Sequence, residues 1–380
     1  MLKYTKLVYN KKKNSLNGQY LITKMKNNKK YIINLIDYIS LAKILAVFSV
    51  VILHTNGSFW LFNYDDYKKY WISSNIIESI FYFGVPFFLL CIGSTLLDFN
   101  ERYGLKEYYK KRFKKVILPL ISWNIILYFY GVYILKDIKK EKLNFAYLWN
   151  LYYEHKINPI FESFHSFVII YMIIPLLAYI KKTQKIKIYS YCLFVLFINQ
   201  ILIPYLINLF QPQLIWIYNI NSSYIIYIFA GYIIHNYKFS KIFKSLIYFS
   251  GIIGLLIHMF GTQYLTLKHK KIIKLHKGYL NLPCFLYSFS LFLFIKEFSI
   301  LIFKYVNKQN INKVGSLTIG PFFLHMPLIK AYHKLFYVNI FSLTYRLFGG
   351  IFICIICLFI TSVMKKAVHV ASFAAVCVMV

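Results

Sequence analysis

Ten apolar stretches, near residues 36–56, 76–97, 116–135, 164–181, 189–208, 222–236, 246–264, 280–303, 314–333 and 345–364, restrict what this chain can fold into. Each comes close to the ~20 residues a helix needs to cross the hydrocarbon core of a bilayer. A helix satisfies its own backbone polar groups there, where no water can do so. The expected fold class is therefore all-α: a polytopic membrane protein of about ten transmembrane helices. The sixth stretch is the shortest. A hydrophobic content of 59% over 380 residues agrees with this and exceeds that of an ordinary soluble domain. No internal repeat stands out, which disfavours the repeat-built secondary transporters.

Charge then sets the expected orientation. The formal net charge is +33, which in a soluble chain would suggest nucleic-acid binding. Here the basic residues sit mainly in short loops between apolar runs, where they orient spans and meet anionic head groups, so no nucleic-acid partner is expected. Residues 1–30 carry nine lysines and no acid, and the segment 101–115 carries two arginines and five lysines. Further lysines follow the fourth, sixth and tenth stretches. Placing these segments in the cytoplasm puts both termini there. One loop conflicts with that assignment: residues 265–279, LTLKHKKIIKLHKGY, fall outside yet hold five lysines. The expected organisation is a basic, disordered tail over 1–30, a membrane domain over 31–366 and a C-terminal tail over 367–380. The first 24 residues read as an upstream extension, because Met25 opens a natural start of its own. Cys354 and Cys357 have a CxxC spacing, but no second Cys or His pair accompanies them, so core packing is expected and no metal site.

The first apolar stretch, from Asp37 to Asn56, contains two ionisable residues, Lys43 and His54. Eleven residues make roughly three helical turns, so the two share a face and lie about 16 Å apart along the axis. An ionisable group within a membrane faces a bundle interior or a wet cavity, so the pair suggests a polar path. Two further histidines fall at a similar depth on other spans: His165 opens the fourth and His325 lies in the outer half of the ninth. His155, His235, His258, His269, His276, His333 and His369 lie in loops, at span ends or without an evident partner, and ordinary roles are expected of them. Glu78 is expected at the water interface.

Lys43-ILAVFSVVIL-His54 resembles the Arg-x10-His signature of the acyltransferase family 3 membrane acyltransferases, with Lys in place of Arg. Gly84-Val-Pro-Phe-Phe-Leu-Leu is similar to that family's GVPLFF stretch. Tyr108-Tyr-Lys-Lys-Arg112-Phe-Lys-Lys, followed by Pro119, is similar to its basic entry to the third span. His165-Ser-Phe-Val-Ile-Ile-Tyr171 with Pro175 resembles its HLWFLY run, and Gly315 to Pro327, with His325, its S-x-x-x-Y-L-x-H-x-P motif. The matches run in order over residues ~31–365, and their combination is more specific than any one of them.

The resemblance implies an O-acetyltransferase-like enzyme of a bacterial inner membrane. It would move an acyl group, commonly acetyl, from cytoplasmic acyl-CoA to a hydroxyl of a cell-surface carbohydrate or glycolipid, with no bound cofactor. It also implies a stand-alone member, without the extra outer hydrolase-like domain of some relatives. A sugar hydroxyl is a weak nucleophile, and imidazole suits the base that it needs. His54 is accordingly expected as general base or acyl relay. Lys43 is expected on a phosphate or the developing oxyanion, Arg112 on the donor's phosphates, and His165 and His325 on substrate or on His54. The alternative is a glycan exporter or other transporter that uses Lys43 and His54 as a substrate or proton path. A scaffolding protein or decayed enzyme is the third reading.

Overall fold

The computed structural model describes residues 37–136, 161–210 and 224–378. The basic tail over 1–30 and His155 lie outside these residues. Every regular element described is helical: α1 (Asp37–Thr55), α2 (Tyr67–Glu101), α3 (Leu105–Ile134), α4 (Phe161–Ala178), α5 (Lys182–Phe210), α6 (Ile225–Asn236), α7 (Lys241–His269), α8 (Leu282–Tyr305), α9 (Ile319–Leu335) and α10 (Tyr345–Ala367). The helical backbone of the last continues to Val378. Among the described residues, seven of these are long and apolar enough to cross a membrane; α4, α6 and α9 are shorter.

Local chemistry marks the helix ends. Ser240 caps α7 by accepting from the Phe243 N–H, and Pro283 occupies the first turn of α8, where its missing N–H costs nothing. The short helix Lys308–Gly315 begins at Asn307, whose side chain accepts from the Gln309 N–H at 2.8 Å. Several long helices contain π-helical turns, notably Phe113–Ile117 in α3, Ile257–Gly261 in α7 and Tyr345–Gly349 in α10. Such turns often accompany functional sites. Here they carry Lys114 and Lys115, His258 and Arg346 respectively.

The short α6 occupies the middle of the bundle. Residues Ile226 to Ile234 are all buried, as expected of a helix apolar on every side. It packs against α2 through two glycines placed reciprocally. A Cβ on Gly93 would strike the backbone of Ile228, and one on Gly231 would strike that of Leu90. Only hydrogen at both positions allows the helices to approach this closely, the small-residue packing typical of membrane helices. The Ser94 hydroxyl lies 2.9 Å from the Gly231 carbonyl and ties the same contact. Large apolar side chains such as Leu176, Ile242 and Phe359 are exposed on the outside of the bundle, the surface a lipid environment would cover. Cys354 and Cys357 pack in an apolar cluster with Val47, Val51 and Ile353.

Contacts between helix ends sort several helices into two ends of the bundle. At one end, Tyr38 of α1 meets His235 of α6 at 2.9 Å, and Asp98 of α2 pairs with Lys185 of α5 at 2.7 Å. There too Asn100 donates to the Ala178 carbonyl of α4, and Lys365 of α10 reaches Ser316. At the other end, Asn75 of α2 donates to the Met259 carbonyl of α7, and His333 of α9 meets the Tyr345 hydroxyl of α10 at 2.5 Å.

One sequence expectation changes. Glu78 is not at the water interface: it is 3% exposed and pairs with Lys277 at 3.6 Å. Lys277, from the lysine-rich loop after α7, turns into the bundle and is 5% exposed. The partner of each lies on a distant element, and pairing is what makes burial of both charges tolerable.

Candidate active site

The last turn of α1 carries His54 against His325 of α9, with ring centroids 5.0 Å apart and planes inclined at 45°. His325 is completely buried, and its Nδ1 lies 2.7 Å from the carbonyl oxygen of Pro321, one turn earlier. A carbonyl only accepts, so Nδ1 bears the proton and Nε2 of the neutral ring keeps its lone pair. That Nε2 is buried and has no hydrogen-bond partner. His54, by contrast, is exposed. The arrangement is a reachable imidazole backed by a buried one of fixed tautomer. The outer ring can exchange protons with a bound hydroxyl, and the inner ring can accept its other N–H.

Lys43 is half-buried on the same face of α1, about 16 Å from His54 along the axis. It lies within electrostatic reach of Lys115, as do Arg112, Lys111 and Lys365. The Arg112 guanidinium stands 5.7 Å from the ring centre of Tyr108 and 5.5 Å from that of Tyr171, and its Nε is buried without a partner. Tyr108 in turn donates to the Tyr171 carbonyl at 2.9 Å, fixing α3 to α4. Stacking of this kind orients a guanidinium and leaves its outer edge available to an anion.

The structure thus brings the residues singled out in the sequence into two groups. His54 and His325 form one; Lys43 and Arg112 contribute to the other, at the opposite end of α1. His165 lies on α4, but its side chain falls outside the described residues.

A third set of residues escapes sequence reasoning. Arg346, 1% exposed, sends its guanidinium from α10 to Ser74 Oγ at 2.6 Å and Ser73 Oγ at 2.8 Å. Its carbonyl accepts from the Thr55 hydroxyl at 3.0 Å, immediately after His54. Asn56 donates to the Ser74 carbonyl at 2.9 Å and approaches Glu78 at 3.4 Å. Glu78 and Lys277 continue the chain, with the ammonium group 4.0 Å from the ring centre of Phe59. Burial holds the Lys277 amine down, to about 8, against the opposing pull of Glu78. The end of α1 that bears His54 is therefore anchored from α2 and α10 and linked to the loop after α7. The one signal in the sequence was the lysine-rich loop on the unexpected side.

Comparison with curated proteins and with solved structures finds no match. A family model described as an acyltransferase domain does match, over residues 36–362, and so takes in all the described helices from α1 nearly to the end of α10. The Lys43–His54 face, Arg112, Lys115 and the histidine pair all lie within that match, and the chain accordingly belongs to acyltransferase family 3, as a membrane acyltransferase.

Proposed function

We propose that the protein transfers an acyl group, commonly acetyl, from cytoplasmic acyl-CoA to a hydroxyl of a cell-surface carbohydrate or glycolipid. The observation that carries this reading is the division of one helix face between two chemistries. A basic group with Lys43, Arg112 and Lys115 lies at one end, and the His54–His325 pair at the other.

The basic end suits the phosphates of the donor, which Arg can grip with paired N–H groups and Lys with a point charge. The extended pantetheine arm would then follow the α1 face toward His54 and carry the thioester to it. His54 takes the proton of the acceptor hydroxyl as its oxygen attacks the thioester carbonyl. The C–S bond breaks as the tetrahedral intermediate collapses, and the proton passes from the imidazolium to the departing sulfur. One ester and one thiol result, with no net proton change. The unprotonated Nε2 of His325 is free to accept the second N–H of His54 as the rings close on a bound acceptor, which would keep a lone pair of His54 turned to the hydroxyl. Lys-rich ends placed in the cytoplasm would put His54 toward the outer side, where a surface glycan is available.

The test is acyl transfer by purified chain in liposomes, from labelled acetyl-CoA to extracted surface glycan. Incorporation that requires both the chain and His54 supports the reading. Glycan movement across the membrane without incorporation would favour the exporter instead.

A further inference from the structure

Along the chain that runs from Asn56 through Glu78 to Lys277, and on the neighbouring α7, five buried polar atoms on four side chains have no hydrogen-bond partner: Nδ1 and Nε2 of His258, Oδ1 of Asn75, Oγ1 of Thr262 and Nζ of Lys277. They belong together in space. Asn75 donates through Nδ2 to the carbonyl of Met259, next to His258. Thr262 follows His258 by four residues and shares its helix face. Tyr82 sets its ring edge-on to His258 at 5.0 Å, and the Lys277 ammonium lies 5.0 Å from the centre of the same ring. All four side chains are almost wholly buried.

A folded protein rarely leaves one such atom unsatisfied, and five in one place call for a partner that is not part of the chain. Charge narrows its nature. The buried chain Arg346–Asn56–Glu78–Lys277 holds two cations and one carboxylate. The ammonium of Lys277 stands 3.6 Å from Glu78, beyond a good hydrogen bond, and its donors remain unused. An excess positive charge with free N–H and O–H donors in a low-dielectric site favours an oxyanion.

We propose that Lys277, His258 and Thr262 form a subsite for an oxyanion of the acceptor, a carboxylate or a phosphate, held beside the end of α1 that carries His54, while the acceptor-only Oδ1 of Asn75 takes a hydroxyl of the same sugar. The acceptor class is then an acidic sugar or a sugar phosphate rather than a neutral glycan. This rests on the reading of His54 as the transfer centre. Glu78 is the internal competitor: at 3.6 Å it is the counter-charge of the ammonium group, and an entering anion takes over that role in part.

The test is calorimetric titration of the purified full-length chain in phosphatidylcholine nanodiscs with glucuronate, glucose 1-phosphate and glucose. It contains no acyl donor, so its outcome is separate from that of the transfer assay. We expect one of the two anions to bind about tenfold or more tightly than glucose. Lys277→Gln should lose that preference and Lys277→Arg keep it. Glu78→Gln should tighten anion binding several-fold by removing the competitor, a gain that general destabilisation cannot produce. Should Lys277→Gln fail to fold, the double variant Glu78→Gln/Lys277→Gln removes both buried charges together and should fold without binding anions. Glucose binding as well as either anion, no anion binding up to about 10 mM, or unchanged binding in the neutralised variants would each overturn the proposal. Displacement of the sugar anion by phosphatidylglycerol would reassign the subsite to a lipid phosphate and overturn its acceptor role.

Discussion

His325 points its Nδ1 at the carbonyl of Pro321 and presents the rest of its ring to His54, with centroids 5.0 Å apart. The anchored nitrogen and the unpartnered one have separable jobs, and a substitution can separate them. Asn at position 325 can reproduce the Nδ1 donor but has nothing in place of Nε2. His325→Asn should therefore insert and fold normally while its acyl-transfer rate falls by about 10²-fold, within the range for loss of acid–base assistance. Full activity in His325→Asn would show that the ring serves packing alone.

Lys43 stands where the signature that the segment resembles has Arg, and it lies within electrostatic reach of Lys115, as Arg112 does. If this end receives the donor's phosphates, Lys43→Met should raise KM for acyl-CoA by about tenfold, the value of roughly one charge-assisted hydrogen bond. Lys43→Arg should hold KM or lower it, because the guanidinium adds a second N–H and a permanent charge. Initial rates against acyl-CoA concentration decide this; equal KM for the Met and Arg variants would remove Lys43 from donor binding.

The paired glycines between α2 and α6 predict a loss of stability unconnected with chemistry. Gly93→Ala sets a methyl group against the Ile228 backbone, which cannot rotate away as a side chain could. Overpacking of this kind costs about 1–3 kcal/mol. The midpoint of denaturant unfolding in micelles should fall accordingly. Gly57→Ala, where nothing lies within 4 Å of the added atom, should leave it unchanged.

How much of this was readable in advance follows from where each signal is written. The helices were legible because apolar length is a local property; every expected span coincides with a described helix, although only seven meet the requirement for crossing by themselves. His54 and His325 were both legible as candidates, because an imidazole in an apolar run stands out. That their rings meet was not, since the contact depends on the packing of α1 on α9. Glu78 opens the apolar run 76–97, Lys277 lies in the loop after α7 and Arg346 in the first turn of α10, places where long charged side chains usually reach water. Their burial depends on partners brought in from α1, α2, α10 and the loop after α7. No spacing within one segment encodes that.

The lysine distribution makes an orientation prediction. Residues 98–115 should face the cytoplasm, together with the ends of α4, α6 and α10 that contact the same end of the bundle. Single cysteines placed at exposed positions there, in a background lacking reactive thiols, should resist an impermeant maleimide in intact cells and react after permeabilisation. Labelling of residues 98–115 in intact cells would invert the whole arrangement and place Lys43, not His54, toward the outside.

The most direct measurement is the quantity and the acyl content of surface glycan in the same cells, expressing either wild type or His54→Ala at equal membrane levels. Removing the base should lower acyl content per sugar by about 10²–10⁴-fold in rate terms, to background, with glycan quantity unchanged. Unaltered acyl content in a well-inserted His54→Ala protein, or a loss of glycan with its acyl content per sugar preserved, would contradict the account.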